Sequence, residues 1–343
     1  MKYSNENLAQ GVLLAAIIAF ISEYLHNIIV IGSQKPISGV IIAILLGMAY
    51  KNLIGVKKTF EPGISLCLKK VLKIAIILLG MSLSFSAVIT TGAKSFVIIL
   101  VCVTLSIVLT YKIGEKLGLS SKLAVLIGIG TSICGATAIV AAAPAIEAGD
   151  EEVAFSVATI TIFGVIAIFL YPILGKLMLL TDIQFGTWAG VAVHETAQVV
   201  AAGFAYSDAA GKVATIVKLT RTVLLAPLVL LLGVIYARQN QKANREKINI
   251  LGIFPWFVVG FMVMAALRTI GDAYFTPSEL WVRILTQSKE VSKYFILVAM
   301  AGVGLMTNIK QMKTIGLKPF ITGMIASLIM AVFSLSMIYS LGI

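Results

Sequence analysis

Apolar positions in this chain neither alternate with polar ones nor fall on a single helical stripe; they run together. Stretches such as VLLAAIIAF, VLKIAIILLG, SFVIILVCVTLSIVLT and VVGFMVMAALRTI each lie in a window close to the roughly 20 residues that a helix needs to cross a bilayer. The strands of a membrane barrel would show short alternating segments instead. The pattern therefore predicts an all-α polytopic membrane protein of about eleven segments. They fall over residues 9–32, 37–54, 68–90, 94–112, 122–147, 153–180, 184–205, 212–237, 250–270, 293–309 and 316–341. The first run comes after MKYSNENLAQ, which carries little positive charge. With no small-residue cleavage site after it, the run reads as a retained span and not a signal peptide.

The polar stretches between the runs set the topology. Basic residues gather between segments two and three (Lys51, Lys57, Lys58, Lys69, Lys70), after four (Lys112, Lys116, Lys122), after eight (Arg238, Lys242, Arg245, Lys247) and after ten (Lys310, Lys313, Lys318). By the positive-inside rule these loops are cytoplasmic, which puts the N-terminus inside and the C-terminus outside. The polar stretch GDAYFTPSELWVRILTQSKE, residues 271–290, reads as a long outer loop. Tyr274 and Trp281 would be its interfacial anchors, and it has room for a short surface helix.

The same pattern contains an internal echo. LLGMSLSFSAVITTGAKSF, ending at Phe96, resembles AGVGLMTNIKQMKTIGLKPF, ending at Phe320. Segments two to four thus echo nine to eleven, an odd number of segments apart, which predicts inverted repeats. TAIVAAA from Thr137 similarly matches TAQVVAA from Thr196. These echoes divide the single transmembrane domain into scaffold-like parts, 37–112 and 250–341, and a core-like part, 122–237. Segments five and seven depart from a plain span: GIGTSICGATAIVAAAPA and GVAVHETAQVVAAG suit elements interrupted in mid-membrane. Each is either a broken span or a re-entrant hairpin.

Composition agrees with a membrane protein: 59% of the 343 residues are hydrophobic and 12% charged. The net charge of +12 is strung between the runs and not gathered in a patch, so no nucleic acid is expected. Cys67, Cys102 and Cys134 fall in different segments without CxxC spacing, which argues against a disulfide framework or a zinc site. No P-loop, HExxH, GxGxxG after a strand or triad-like motif occurs, so neither an enzyme nor a cofactor is expected.

The interrupted elements carry the candidate chemistry. Helix breaks present unsatisfied N–H groups and a positive dipole end, which favour an anion. In the first break the candidates are Thr131, Ser132, Cys134, Gly135, Ala136 and Thr137; in the second, His194, Glu195, Thr196 and Gln198. An ionisable side chain in the bilayer costs on the order of 2.5–3.5 kcal/mol even on permissive scales, so such groups normally face a cavity or a partner. Glu195 and His194 are thus candidates for carrying a coupling proton. Lys218 and Arg221, three apart, share a helix face. Arg221 suits a bidentate contact with an oxyanion or with Glu195, whereas Lys218 reads as snorkelling to the headgroups. Glu151 and Glu152 fit either a gate or an ordinary helix start with acids in its first turn.

With these motifs in hand, the chain resembles the YeiH-type family of bacterial inner-membrane proteins, a family named for sulfate export. The resemblance rests on GTSICGATAI (Gly130 to Ile139), EEVAFSVATITIFG (Glu151 to Gly164), HETAQVVAAG (His194 to Gly203) and ATIVKLTRTVLLAP (Ala214 to Pro227). It implies a transporter distantly similar to the cation:proton antiporter and bile-acid carrier group, with an elevator-like mobile core and a homodimeric scaffold. Relatives are linked to sulfite and sulfonates. Together these readings lead to a secondary transporter, an exporter of a small inorganic or organosulfur anion, coupled to H+ or Na+. A cation:proton antiporter using Glu195 and an anion channel stand as alternatives.

Overall fold

The computed structural model describes residues 5–29, 38–239, 255–275, 278–308 and 316–343. Every regular element among them is helical, as the unbroken apolar runs require. Among the described residues, six stretches are long and apolar enough to cross a membrane: Asn7–Ile28, Phe85–Lys116, Glu151–Leu177, Asp208–Tyr236, Trp256–Phe275 and Leu317–Ser340. Of the remaining helices, Glu279–Met306 is long but polar in its first half, and the others are shorter. The backbone packs into two compact units.

The first unit comprises residues 1–90, 204–208 and 256–311. It holds α1 (Asn5–Ile28), α2 (Gly39–Ala49), α3 (Glu61–Leu66), α4 (Leu72–Leu79), α13 (Trp256–Phe275) and α14 (Glu279–Met306). Helix α14 packs on α1, α2 and α4. Its approach to α2 is close enough that a Cβ on Gly304 would stand 2.2 Å from the Ile44 carbonyl oxygen, so only glycine fits there. Lys293 of α14 reaches the nearly buried Glu23 of α1, with Nζ 2.6 Å from Oε1.

Two expectations change here. Most of the expected loop is helical: α13 continues to Phe275 and α14 begins at Glu279. Polar composition misled, because Glu, Lys, Arg, Gln and Leu are good helix formers that carry a helix beyond its apolar half. Trp281 is accordingly no free anchor. Its indole N–H donates to Asp272 at 2.9 Å, its ring covers Gly271, and Arg268 closes on the same carboxylate at 2.6 Å. The third segment also ends earlier than expected. It breaks at Leu83, whose backbone is extended, and the chain re-enters a helix in α5 (Phe85–Lys116).

The second unit comprises residues 91–203, 209–255 and 312–343. Besides most of α5 it holds α6 (Ser121–Ser132), α7 (Ala136–Ala142), α8 (Asp150–Leu177), α9 (Asp182–Ala192), α10 (Thr196–Tyr206), α11 (Asp208–Val223), α12 (Leu225–Gln239) and α15 (Leu317–Ser340). Helix α6 packs on α8 and α15, and α9 packs on α15. The start of α8 obeys capping chemistry: Glu152 accepts from the Gly149 N–H at 2.9 Å and from the Ser120 hydroxyl, the helix-start role open to that acid. Lys242, Arg245, Lys247, Lys310 and Lys313, which helped to set the expected topology, lie outside the described residues.

Candidate functional site

Both interrupted elements are broken where the sequence suggested. Helix α6 starts on a Ser120 side-chain cap and stops at Ser132, after which Ile133 leaves the helical region and Gly135 adopts φ 73°, a conformation that favours glycine. Helix α7 then restarts at Ala136. The second break has no glycine. Helix α9, opened by a Thr181–Gln184 capping box, ends at Ala192 with Val193 extended (φ −78°, ψ 142°), and α10 restarts at Thr196. The matched TAIVAAA and TAQVVAA stretches thus both come directly after a break.

What holds the breaks open is cationic. A helix that stops in an apolar medium leaves its last carbonyls without donors, at about 1–3 kcal/mol each when buried. Lys218 and Arg221 of α11, both wholly buried, supply those donors. Lys218 Nζ donates to Ile133 O (2.9 Å), Val193 O (3.1 Å) and His194 O. Arg221 donates from Nε to Ile133 O (2.5 Å), from one terminal nitrogen to Val191 O, and from the other to Thr131 O (3.4 Å), Val193 O (3.0 Å) and His194 O (3.1 Å). Both side chains thereby cap the C-terminal ends of α6 and α9, where the helix dipole is worth about half a negative charge each. Snorkelling, expected for Lys218, is excluded by its burial. Nor does Arg221 reach Glu195: its guanidinium is committed to main-chain carbonyls.

Glu195 stands apart from this clasp. Its side chain fills the notch at Gly135, where a Cβ would come within 2.3 Å of Glu195 Cγ. Its carboxylate lies against the Ala136 N–H and 3.5 Å from the Thr161 hydroxyl of α8. Its own N–H donates to Gln198 Oε1 at 3.1 Å, a side-chain cap on α10. Gln198 in turn donates weakly to Thr161 O at 3.4 Å and fits only because residue 164 is glycine; a Cβ there would stand 1.8 Å from Oε1. His194, buried, bonds Ser327 of α15 through Nε2 at 2.8 Å, while its Nδ1 and the buried Thr131 hydroxyl have no hydrogen-bond partner among the described residues. Trp188 ties α9 to α15 by donating to Ala331 O at 2.9 Å.

Exposure divides the predicted residues. Thr131, Ser132, Cys134, Gly135, His194, Gln198 and Arg221 are buried, whereas Ala136, Glu195 and Thr196 are partly open and Thr137 is exposed. All belong to the second unit, gathered around the two breaks. Sequence reasoning missed Thr161 and Gly164 as site residues, although both lie in the EEVAFSVATITIFG stretch, and gave no signal for Ser327.

Comparison with known proteins places this arrangement in a family. A family model described as "Conserved hypothetical protein 698" matches residues 10–323. The chain belongs to the UPF0324 family of membrane proteins. It is 36% identical to a UPF0324 membrane protein of Clostridium tetani over 344 residues, covering 97% of both chains. A UPF0324 relative in Streptococcus agalactiae is 34% identical over 97% of both chains, and one in Bacillus cereus is 33% identical over 97% of this chain and 92% of its own. The family names agree with the six apolar helices: this UPF0324 chain is a multi-pass membrane protein. The sequence resemblance noted from the four motifs therefore holds at the level of the family.

Proposed function

We propose that this chain is a secondary carrier of a small oxyanion, such as sulfate, sulfite or an organosulfonate, working as an exporter in the bacterial inner membrane. The observation that carries the reading is the charge balance at the breaks. Two buried cations, Lys218 and Arg221, are offset by the two helix C-termini that they cap, about half a negative charge each, and by Glu195, so neutralising or displacing that one carboxylate leaves about one positive charge uncompensated in an apolar setting. Such a charge attracts an anion and repels a cation. The partly open residues Ala136, Glu195 and Thr196 and the exposed Thr137 then form the face that meets substrate, with N–H and hydroxyl donors suited to oxyanion oxygens. Lys218 and Arg221 act through their field and by fixing the breaks, not by touching the ion.

In this reading the chain crosses the membrane eleven times with its N-terminus inside, the echoing segments are inverted repeats, and the interrupted elements ride in a mobile core on a dimeric scaffold, as in elevator carriers. Uptake of labelled sulfate and sulfite into proteoliposomes, with and without an imposed pH gradient, tests it. Gradient-dependent accumulation of either ion supports the proposal. Sodium-dependent proton movement with no anion requirement would instead support a cation:proton antiporter in which Glu195 is the ion's ligand.

A further inference from the structure

The three ionisable groups at the breaks are held very differently. Lys218 and Arg221 together make eight hydrogen bonds to main-chain carbonyls and are locked in place. Glu195 has no ion-pair partner within 4 Å among the described residues and is partly open. Its carboxylate rests on one N–H, that of Ala136, and on one long contact to the Thr161 hydroxyl at 3.5 Å. These two groups lie beside the notch left by the missing Gly135 side chain, and toward an anion both act as donors. The Glu195 carboxylate already occupies both.

An incoming oxyanion drawn by Lys218 and Arg221 would meet the same donors. Two anionic groups at one donor set lie within a few Å of each other, and like charges at that range do not both stay ionised. The neutral carboxyl no longer needs the Ala136 and Thr161 donors and can leave them to the substrate. Building on the anion-carrier reading, we propose that Glu195 is a tethered competitor of the substrate: its carboxylate holds these donors in the empty carrier, and it takes up one proton from water as the anion displaces it. The other ionisable groups whose charge reaches Glu195 are Lys218 of α11 and Cys134 of the first break; His194, its neighbour in the chain, is turned to Ser327, and Arg221 is spent on main-chain carbonyls. From α8 the non-titrating Thr161 faces it. Among these groups Glu195 alone combines an anionic form with freedom to move.

The test is proton uptake on anion binding by the purified full-length protein in weakly buffered solution near neutral pH, read with an indicator dye. Affinity is measured in parallel by calorimetry with sulfate, sulfite and methanesulfonate as probes. The wild type is expected to take up about one proton per anion bound, and its affinity should fall about tenfold per pH unit while Glu195 is ionised in the empty protein. Glu195→Gln should bind the same anion more tightly, without proton uptake and without that slope. Thr161→Val should weaken binding and leave the proton count unchanged. The count on the wild type is decisive even if Glu195→Gln does not fold. Binding without proton uptake by the wild type, or uptake retained in Glu195→Gln, would overturn this inference and leave the carrier reading standing. No binding of any of the three anions would overturn the carrier reading and this inference with it.

Discussion

The cation clasp on the two breaks predicts an asymmetry between neighbouring residues. Replacing Lys218 by Met removes three donors, but each carbonyl it reaches, those of Ile133, Val193 and His194, is also reached by Arg221. No acceptor is orphaned, and one desolvated charge is relieved, so the change should cost within about 2 kcal/mol. Replacing Arg221 by Met is different. Thr131 O and Val191 O receive a donor from Arg221 and none from Lys218, and two buried acceptors left unmade cost about 2–6 kcal/mol together. Lys218 would also remain as the lone cation between two helix C-termini. Thermal unfolding in detergent, monitored with a thiol-reactive fluorogenic dye, suits the protein because Cys67, Cys102 and Cys134 are all free and buried. The expected order is wild type, then Lys218→Met, then a much less stable Arg221→Met. Equal loss in the two variants would refute the reasoning, and so would an Arg221→Met protein as stable as wild type but unable to transport. The latter result would mean that the guanidinium is free for substrate.

Other expectations concern single contacts. Gly164→Ala pushes the flexible Gln198 amide from its seat; it should lower stability by only about 1 kcal/mol, the worth of a helix cap, yet reduce transport, compared by unfolding temperature and uptake on the same preparation. Lys293→Met leaves Glu23 nearly buried without its partner and should destabilise by more than about 1 kcal/mol, and adding Glu23→Gln should recover part of that loss in a double-mutant comparison. Alkaline phosphatase fused after Ile343 should be active in cells and a fluorescent protein fused there dark, as an odd number of crossings with the N-terminus inside demands; the reverse pattern would fit an even number.

How much of the molecule was legible in the sequence depended on range. Runs such as SFVIILVCVTLSIVLT announce a helix without reference to anything else, and Gly135 announces a break because a residue at φ 73° is expensive for anything but glycine. VAVHET could be recognised as unusual by its charge alone. Interactions between distant segments were not legible in the same way. Snorkelling was the expectation for Lys218 because, along α11, nothing reveals that two helix ends 25 and 85 residues away bring carbonyls to its ammonium group. Thr161 and Ser327 are each one of several hydroxyls in apolar helices, a common and usually uninformative pattern; only the fold sets them beside Glu195 and His194. The misread stretch 271–290 shows the converse: low hydropathy excluded a bilayer core but did not exclude a helix.

The most direct test of the anion-carrier claim is electrical. Proteoliposomes adsorbed on a solid-supported membrane are exposed to concentration jumps of sulfate, sulfite and methanesulfonate, and separately to jumps of sodium or lithium at constant anion. The charge balance around Lys218, Arg221 and Glu195 predicts transient currents on an anion jump that grow as the pH is lowered, with no response to the alkali cations alone. Currents that track sodium or lithium and ignore every anion would contradict it.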